Sequence, residues 1–274
     1  MTAQVDVLIP TYNRPAALAV TLTALAAQAF VGDLRIIVSD QTERIDVREV
    51  GEVQAVVRVL EAGGREVRLL RHVPRRGIAE QRQFLLDQAS APYVLCLDDD
   101  IILEPDLIAR LAATLDGEGC GFVGSAMIGL KYRHVVRPHE EAIEFWQGSV
   151  EPELVTPGSP AWERHKLHNA CNLWHVQRRL GLTRATQRTY RVAWIAGCVL
   201  YDAQKLRQVG GFSFWHHLPP EHCGEDVLAQ LRVMAHFGGC GLAPSGAYHQ
   251  DLPTTIPDRT YDAPWRLPIE LGVG

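Results

Sequence analysis

The sequence has 274 residues, of which 47% are hydrophobic and 22% charged, so the chain can bury a substantial core and shows no bias toward disorder. A net charge of −5 gives no general attraction to nucleic acid or to an anionic membrane. The longest apolar run, near residues 18–30, contains Thr21, Thr23 and Gln28 and is too polar to span a membrane. The first strand-like run begins at Val5, which leaves no room for a signal peptide.

Strand-like and helical patterns alternate through the first half of the chain. Short apolar runs predict buried strands, and apolar residues spaced three and four apart predict amphipathic helices. The predicted strands are residues 5–10, 34–39, 67–71, 93–97, 122–130 and 191–201. The predicted helices are residues 15–30, 78–89, 105–115 and 226–236. This order predicts an α/β fold with a mostly parallel central sheet, right-handed crossovers and flanking helices.

The second half of the chain is less regular. Residues 132–190 are rich in His, Arg, Trp and Pro, and we expect them to form an elaboration over the cleft rather than a linker. Residues 242–248 have a weak strand pattern. Six cysteines occur without a C-x-x-C pair, several of them in apolar surroundings. Buried free thiols in a reducing cytoplasm explain this distribution, so the expected location is cytoplasmic.

Polar residues follow three of the predicted strands at the point where each strand ends. Thr11 follows the first strand, Asp40 the second, and Asp98, Asp99 and Asp100 follow the strand at residues 93–97. Ligands of open α/β sheets lie outside the carboxyl ends of the strands. The sequence therefore predicts that these three polar sites, although distant along the chain, line one crevice.

The three consecutive aspartates are the sharpest chemical signal in the sequence. Adjacent carboxylates repel one another and raise their own pKa values unless a cation or hydrogen-bond donors compensate. A hard divalent cation does this well, with phosphate oxygens of a ligand completing its coordination. An acidic surface loop, or the start of a helix where Asp is favoured, explains the same triplet without any ligand.

Several motifs in sequence order resemble one known family. They are Val7-Leu8-Ile9-Pro10-Thr11-Tyr12-Asn13-Arg14, Val38-Ser39-Asp40, Leu97-Asp98-Asp99-Asp100, Trp194-Ile195-Ala196-Gly197, Val209-Gly210-Gly211-Phe212 and Gly224-Glu225-Asp226. In this order and spacing the chain resembles the inverting glycosyltransferases of family 2, which have the Rossmann-like GT-A fold. The resemblance covers roughly residues 5 to 249.

The resemblance implies a binding site for a nucleoside-diphosphate sugar. Thr11 and Asp40 match positions that hold the nucleotide base, and Gly77 with Arg82 matches a Gly-x-x-x-x-Arg pattern whose arginine lies near the donor. The donor-binding positions implied in this way are Pro10, Thr11, Asn13, Arg14, Asp40, Gly77, Arg82, Asp98, Asp99, Gly197 and Glu225. A UDP-sugar is favoured. Gln41-Thr42-Glu43 after Asp40, and Gln83 after Arg82, depart from the family pattern and weaken that choice of nucleotide.

The same resemblance implies the metal ligands and the catalytic base. Asp98 and Asp100 match the two acids of an Asp-x-Asp motif that binds Mn²⁺ or Mg²⁺, and His249 matches a late histidine that serves some members as a third ligand. Asp226 matches the base that takes the proton of the acceptor hydroxyl. Loss of a nucleoside diphosphate requires neutralisation of its charge, and a divalent cation provides this.

Each of these residues also has a purely structural interpretation. Asp226 could be an acid in the first turn of a helix, Arg82 a solvated helix residue, and His249 a structural histidine with Asp251 as the competing ligand. Asn13 and Arg14 fit a helix cap and its first turn. The segment 213–223 contains His216, His217, Glu221 and His222, which fit either a zinc site or a loop beside the acceptor.

Taken together, the sequence predicts one GT-A domain over residues 1–274. Residues 1–130 are assigned to the nucleotide-sugar half, and residues 131–274 to the acceptor-binding half that carries the base. The fold is expected to include a smaller C-terminal portion on the acceptor side. The predicted activity is sugar transfer, with inversion, from a nucleoside-diphosphate sugar to an unknown hydroxyl acceptor. A catalytically silent binding module, a retaining transferase and a sugar nucleotidyltransferase are the alternatives. No nucleic-acid partner and no integral membrane segment are expected; peripheral membrane contact and the oligomeric state are left open.

Overall fold

Strands and helices alternate through the first half of the chain, as predicted. The computed structural model describes residues 4–269. The strands are β1 Gln4–Thr11, β2 Asp33–Asp40, β3 Glu66–Arg71, β4 Tyr93–Leu97, β5 Ile101–Leu103, β6 Phe122–Gly124, β7 Arg188–Tyr190, β8 Cys198–Asp202, β9 Gly239–Ala243 and β10 Ala247–His249. The α-helices are α1 Pro15–Ala26, α2 Gly51–Ala62, α3 Ile78–Gln88, α4 Leu107–Glu118, α5 Asn172–Arg179, α6 Ala203–Gln208, α7 Glu225–Phe237 and α8 Ala263–Arg266.

The described strands form one large sheet and one small sheet. The large sheet has eight strands in the order β3-β2-β1-β4-β8-β6-β9-β7. Strands β1 to β4 are parallel to one another, whereas β8 runs antiparallel between β4 and β6. Strand β10 pairs antiparallel with β5 in the small sheet, and β5 is the strand that directly follows the aspartate triplet. The predicted α/β fold with a mostly parallel central sheet is confirmed.

Helices cover both faces of the large sheet, and the pleat of β1 shows how. Val5, Val7 and Ile9 are buried in a core that contains residues of α1, α2 and α4. Leu8 points to the opposite face, into a core that contains residues of α3, α5, α6 and α7. The strand is buried on both faces because its sequence is apolar at nearly every position. This double cover fixes the carboxyl ends of the parallel strands, where the polar residues lie.

Two predicted strands are wrong in extent. The strand expected at residues 122–130 ends at Gly124, and the strand expected at residues 191–201 begins only at Cys198. The cause in the second case is a long-range contact. The Gln230 side chain accepts a hydrogen bond from the Ile195 backbone N–H (2.8 Å) and donates to the Ile195 carbonyl (2.7 Å). Since this side chain takes the place of a strand partner, residues before Cys198 form a loop at the cleft.

None of the helices within residues 4–269 is long and apolar enough to cross a membrane.

The six cysteines are free, and five of them are buried while Cys223 is partly exposed. The predicted free thiols are thereby confirmed. Burial raises the pKa of the Cys96 and Cys198 thiols to about 12, so both stay protonated at neutral pH and act as small apolar side chains.

Candidate functional site

A cleft of about 480 Å³ lies at the carboxyl ends of β1 and β4. Residues from eight separate parts of the chain line it. This is where a ligand site is expected in an open α/β sheet. The predicted site residues that line it are Pro10, Thr11, Arg14, Arg82, Asp98, Asp99, Asp100, Glu225, Asp226 and His249. The volume lies within the range of small-molecule and cofactor sites.

Each residue of the aspartate triplet forms a hydrogen bond through its backbone. The Asp98 N–H donates to the Gly197 carbonyl (2.9 Å), and the Asp99 carbonyl accepts from the Thr21 hydroxyl (2.8 Å). The Asp100 carbonyl accepts from the Gln250 N–H (2.9 Å). Gly197 therefore supports the triplet through its backbone. The three carboxylates consequently have fixed and different surroundings, despite being consecutive in sequence.

Asp99 is the buried member of the triplet. Its carboxylate accepts a hydrogen bond of 2.6 Å from the Thr11 hydroxyl, and Arg14 lies 3.4 Å away. Burial raises the pKa of Asp99 to about 6, and the Thr11 hydrogen bond opposes that rise. Thr11 was predicted to contact the nucleotide base, but its hydroxyl donates its hydrogen bond to Asp99. A carboxylate with this pKa is mainly ionised at neutral pH.

Asp100 has two cationic or hydrogen-bonding partners. Arg14 donates to its carboxylate at 2.7 Å, and His249 Nε2 lies 3.2 Å from the same oxygen. Burial raises the pKa of Asp100, but the hydrogen bond with His249 and the charge of Arg14 hold it below its usual value. The hydrogen bond with Asp100 raises the pKa of His249 in turn. Asp100 is thus a fixed carboxylate anion at the cleft wall.

The described residues contain no group of three or more His, Cys, Asp or Glu side chains arranged to hold a metal ion. Asp100 and His249 do meet, whereas Asp98 pairs with Arg82 and not with these two. His249 Nδ1 accepts a hydrogen bond from the Asp251 backbone N–H (3.0 Å), which places the proton of a neutral imidazole on Nε2, 3.2 Å from an Asp100 carboxylate oxygen. A divalent cation held by Asp100 and His249 would have to displace that proton, and its remaining ligands would have to come from outside the chain.

Arg82 connects the aspartate triplet with α7. Its Nη2 donates to Asp98 (2.8 Å) and its Nε donates to Glu225 (2.9 Å). The residue is 7% exposed, so the interpretation as a solvated helix residue is wrong. Burial lowers the pKa of Arg82, but Asp98 and Glu225 raise it well above its ordinary value. The guanidinium therefore stays charged and holds two carboxylates from distant parts of the chain.

Asp226 lies beside this ion-pair network at the start of α7. Burial, and then the charge of Glu225, raise its pKa to about 7 against the opposing charge of Arg82. Gly224 precedes the helix with φ at 74°, and a Cβ there would clash with the Asp262 carboxylate. The Gly-Glu-Asp motif therefore sets the start of α7 and leaves Asp226 lining the cleft. A carboxylate of this pKa can accept a proton near neutral pH.

Four predicted donor-binding residues do not line the cleft, namely Gly197, described above, and Asp40, Asn13 and Gly77. Asp40 is fully buried, and its carboxylate accepts backbone hydrogen bonds from Thr42 (2.8 Å) and Val47 (3.1 Å). This shapes the loop after β2 and leaves Asp40 turned away from the crevice. Asn13 is exposed, and its N–H donates to the Thr42 hydroxyl (2.8 Å). Gly77 caps α3 with φ at 108°.

The segment with four candidate zinc ligands serves a structural purpose at His222. This side chain is 2% exposed, and its Nε2 accepts the Ala79 N–H at the start of α3 (3.1 Å). Its Nδ1 donates to the Pro219 carbonyl (2.6 Å). A Cβ on Gly77 would lie 2.6 Å from the imidazole, so glycine permits this contact. His222 thereby connects α3, which carries Arg82, to the loop before α7.

Other cleft residues were not predicted from the sequence. Tyr12 and Arg75 stack at its edge, with the guanidinium 4.3 Å from the ring centroid. Arg14 donates to the Pro253 carbonyl and thereby holds the C-terminal segment at the cleft. This segment contributes Leu252, Thr254, Thr255, Ile256, Arg259 and Asp262. Its local sequence has no periodicity that signals such a position.

Residues 132–190 were expected to cover the cleft, but none of them lines it.

Comparisons with known proteins show which family and which fold the chain resembles. A family model described as Glycosyl transferase family 2 matches residues 6–181. The S. aureus TarS 1-349 structure in complex with UDP-GlcNAc is similar, with a TM-score of 0.59, 15% identity, and coverage of 92% of this chain and 60% of that chain. The mannosyltransferase PcManGT from Pyrobaculum calidifontis, in complex with GDP-Man and Mn²⁺, has a TM-score of 0.51, 17% identity and coverage of 88% and 57%.

These similarities have a defined extent. The chain spans about 60% of the length of the TarS 1-349 structures, and 36% of the length of the longer S. aureus TarS structure, which it matches with a TM-score of 0.55 and 17% identity. No curated protein matches the sequence significantly. At such identities the structural similarity establishes the GT-A fold, and the family model alone covers more than half of the chain.

Proposed function

Because the chain belongs to glycosyl transferase family 2, we propose that it transfers a sugar from a nucleoside-diphosphate sugar to an acceptor hydroxyl. The observation that carries this proposal is the meeting of Asp226 with the Asp98–Asp100 triplet in one cleft. The triplet provides a place for a charged donor, and Asp226 provides a proton acceptor. Asp226 lies outside the matched residues 6–181, so its position in the cleft supports the proposal independently of the family match.

The donor is a nucleoside-diphosphate sugar in this proposal. The similar structures hold UDP-GlcNAc in one case and GDP-Man with Mn²⁺ in another, which supports the donor class and leaves the nucleotide to be determined. Arg14 brings a positive charge to the cleft wall beside Asp99 and Asp100. The stacked pair of Tyr12 and Arg75 offers a flat surface at the cleft edge.

Asp100 and His249 would hold a divalent cation, Mn²⁺ or Mg²⁺, whose role is to neutralise charge on the leaving diphosphate. Arg14 contributes positive charge at the same wall without any metal. Asp98 forms an ion pair with Arg82, and 32% of its side chain is exposed. In this proposal its carboxylate accepts hydrogen bonds from donor hydroxyls or from water. Residues 1–130 contribute most of this donor side, and residues 131–274 contribute His249 and the base.

Asp226 is the general base in the proposed reaction. The acceptor oxygen forms a bond to the anomeric carbon as the bond from that carbon to the diphosphate breaks, and the hydroxyl proton passes to the Asp226 carboxylate. Attack opposite to the leaving group inverts the anomeric configuration. The pKa of about 7 makes Asp226 a stronger proton acceptor than an ordinary aspartate while leaving much of it ionised at neutral pH.

Thermal unfolding with a panel of nucleoside diphosphates, with and without Mn²⁺, tests donor binding. The proposal predicts stabilisation by one nucleotide and a larger shift when Mn²⁺ is present. Donor turnover with candidate acceptors then tests catalysis, and the anomer of the product tests inversion. Metal-dependent stabilisation without hydrolysis or transfer on any acceptor would identify a binding module instead. A retained anomeric configuration would exclude Asp226 as the base of a single displacement.

A further inference from the structure

One exposed surface combines positive charge with apolar side chains. It is built from residues 130–137 and residues 178–180, and we refer to it as the basic–apolar surface. Its exposed members are Leu130, Lys131, Tyr132, Arg133, His134, Val136, Arg178, Arg179 and Leu180. The apolar members are more exposed than is usual for such side chains, with 40% for Leu130, 60% for Val136 and 47% for Leu180. Single exposed apolar residues are ordinary, but several in one place indicate contact with another phase or partner.

The two segments lie side by side in the fold. His175 on α5 donates from Nε2 to the Val135 carbonyl (3.2 Å). Arg179 at the end of α5 forms an ion pair with Glu141, which follows the first segment closely. Arg178 stacks on Trp174 with its guanidinium 4.4 Å from the ring centroid. The first two contacts hold α5 against the segment of residues 130–137.

The charge of this face is opposite to that of the whole chain. It carries five Lys or Arg side chains, of which Arg137 and Arg179 pair with acids, while Lys131, Arg133 and Arg178 form no ion pair with a described residue. The two acids next to it are engaged. Glu140 accepts hydrogen bonds from Asn172 and lies 3.4 Å from Arg137, and Glu141 is 5% exposed and paired with Arg179. The basic–apolar surface therefore has a local excess of positive charge, although the net charge of the whole chain is −5.

The basic–apolar surface begins at the rim of the cleft. Met127 lines the cleft, and the chain runs directly from it into Leu130. Gly129 packs against Asp251, since a Cβ built on it would lie 3.2 Å from the Asp251 carboxylate. The adjacent Leu252 lines the cleft and is 38% exposed. A flat partner that covers this surface would therefore lie next to the cleft opening.

We infer that the basic–apolar surface docks on an anionic phospholipid bilayer, with Leu130, Tyr132 and Val136 entering the headgroup layer and the neighbouring cations contacting lipid phosphates. Interfacial segments combine apolar and aromatic side chains with Lys and Arg in this way. A nucleic acid would use the cations but gains little from exposed Leu and Val side chains, because its outer surface is a chain of phosphates and sugars. The inference concerns attachment and does not depend on sugar transfer.

Co-sedimentation of the full chain with vesicles tests the inference. Vesicles of phosphatidylcholine with about 30% phosphatidylglycerol are compared with pure phosphatidylcholine at 100 mM and 500 mM NaCl. We expect binding to the anionic vesicles, loss of most of it at the higher salt, and little binding to the neutral vesicles. Each Lys or Arg near an anionic surface changes affinity about five-fold, so Lys131→Gln/Arg133→Gln should weaken binding about 25-fold.

The chain offers a matched control on its opposite edge. Arg44, Ile45, Arg58 and Val59 are likewise exposed, but they lie among the exposed acids Glu43, Glu49, Glu52 and Glu61. Arg44→Gln/Arg58→Gln removes the same charge and should leave vesicle binding unchanged. Leu130→Ser/Val136→Ser should weaken binding, whereas Ile45→Ser/Val59→Ser should not.

Three results would overturn the inference: no sedimentation with the anionic vesicles at 100 mM NaCl, equal losses in the control and test variants, or preferential retention by duplex DNA over the vesicles. Nucleotide-dependent thermal stabilisation of each variant reports whether it is folded. That readout also keeps a failure of membrane docking distinct from a failure of donor binding, since the substituted side chains lie outside the cleft.

Discussion

Replacement of Asp226 by asparagine should stabilise the protein, and the gain should depend on pH. An acid whose pKa is raised by folding binds more protons in the folded than in the unfolded chain at pH values between the two pKa values. The contribution of Asp226 to the stability of the wild type therefore falls as pH rises from about 4 to about 7, because this half-buried side chain must ionise. Asparagine has a similar shape and carries no charge, so the variant escapes this loss.

The expected size follows from the pKa. A change from 3.8 in the unfolded chain to about 7 in the fold corresponds to about 4 kcal/mol at roughly 1.4 kcal/mol per pKa unit. Asp226 lines the cleft, and contact with cleft water reduces the penalty, so we expect about 2–4 kcal/mol. The gain should be complete above pH 7 and absent below pH 4. Such a gain at a functional residue is the usual trade between stability and activity.

Urea unfolding of the wild type and Asp226→Asn between pH 4 and pH 8.5 measures this difference. Glu225→Gln is the matched control, since it removes a neighbouring acid that is paired with Arg82. That variant should lose about 1.5–3 kcal/mol of unfolding free energy instead of gaining it. A stability difference for Asp226→Asn that is unfavourable, or constant across the pH range, would refute the proposed burial of its charge.

Three further substitutions test other parts of the site. Arg82→Met leaves two carboxylates without their cation and should lower the free energy of unfolding by about 3–5 kcal/mol in urea titrations. Asp100→Ala should weaken Mn²⁺-dependent nucleotide binding at least as much as the roughly 10–100-fold typical of a lost supporting partner, measured by calorimetry. Thr11→Val removes a hydrogen bond that lowers the pKa of Asp99. It should cost about 1.5–3 kcal/mol at pH 8 and less at pH 5, where Asp99 is protonated in the fold.

The first four strands of the large sheet could be predicted from sequence because each is a short apolar run that ends at a polar residue. Thr11, Asp40 and Asp98 follow these runs, and parallel pairing brings the strand ends to one edge. The convergence of Thr11 and the triplet followed from this rule. The rule did not decide which way a side chain points, and Asp40 turns into the loop after β2 because two backbone N–H groups bind it there.

Long-range contacts account for what could not be predicted. The loop before Cys198 depends on Gln230, which is 35 residues away from Ile195 in sequence. The sequence predicted that a cation or hydrogen-bond donors compensate the triplet, but it did not show that Arg14 and Arg82 supply two positive charges from within the chain. Helix α2 had no predicted counterpart, and only Val53 and Leu60 of its twelve residues are buried. Such a narrow apolar face gives a weak periodic signal.

Turnover of the nucleotide-sugar donor by Asp226→Asn and the wild type, at pH 8 and with Mn²⁺, tests the central proposal most directly. The account predicts an unchanged dissociation constant for the donor and a fall in turnover of about 10²–10⁴-fold, the usual contribution of a general base. It also predicts that wild-type turnover rises with pH through about 7, as Asp226 ionises. Turnover of the asparagine variant near the wild-type rate would contradict the assignment of Asp226 as the base.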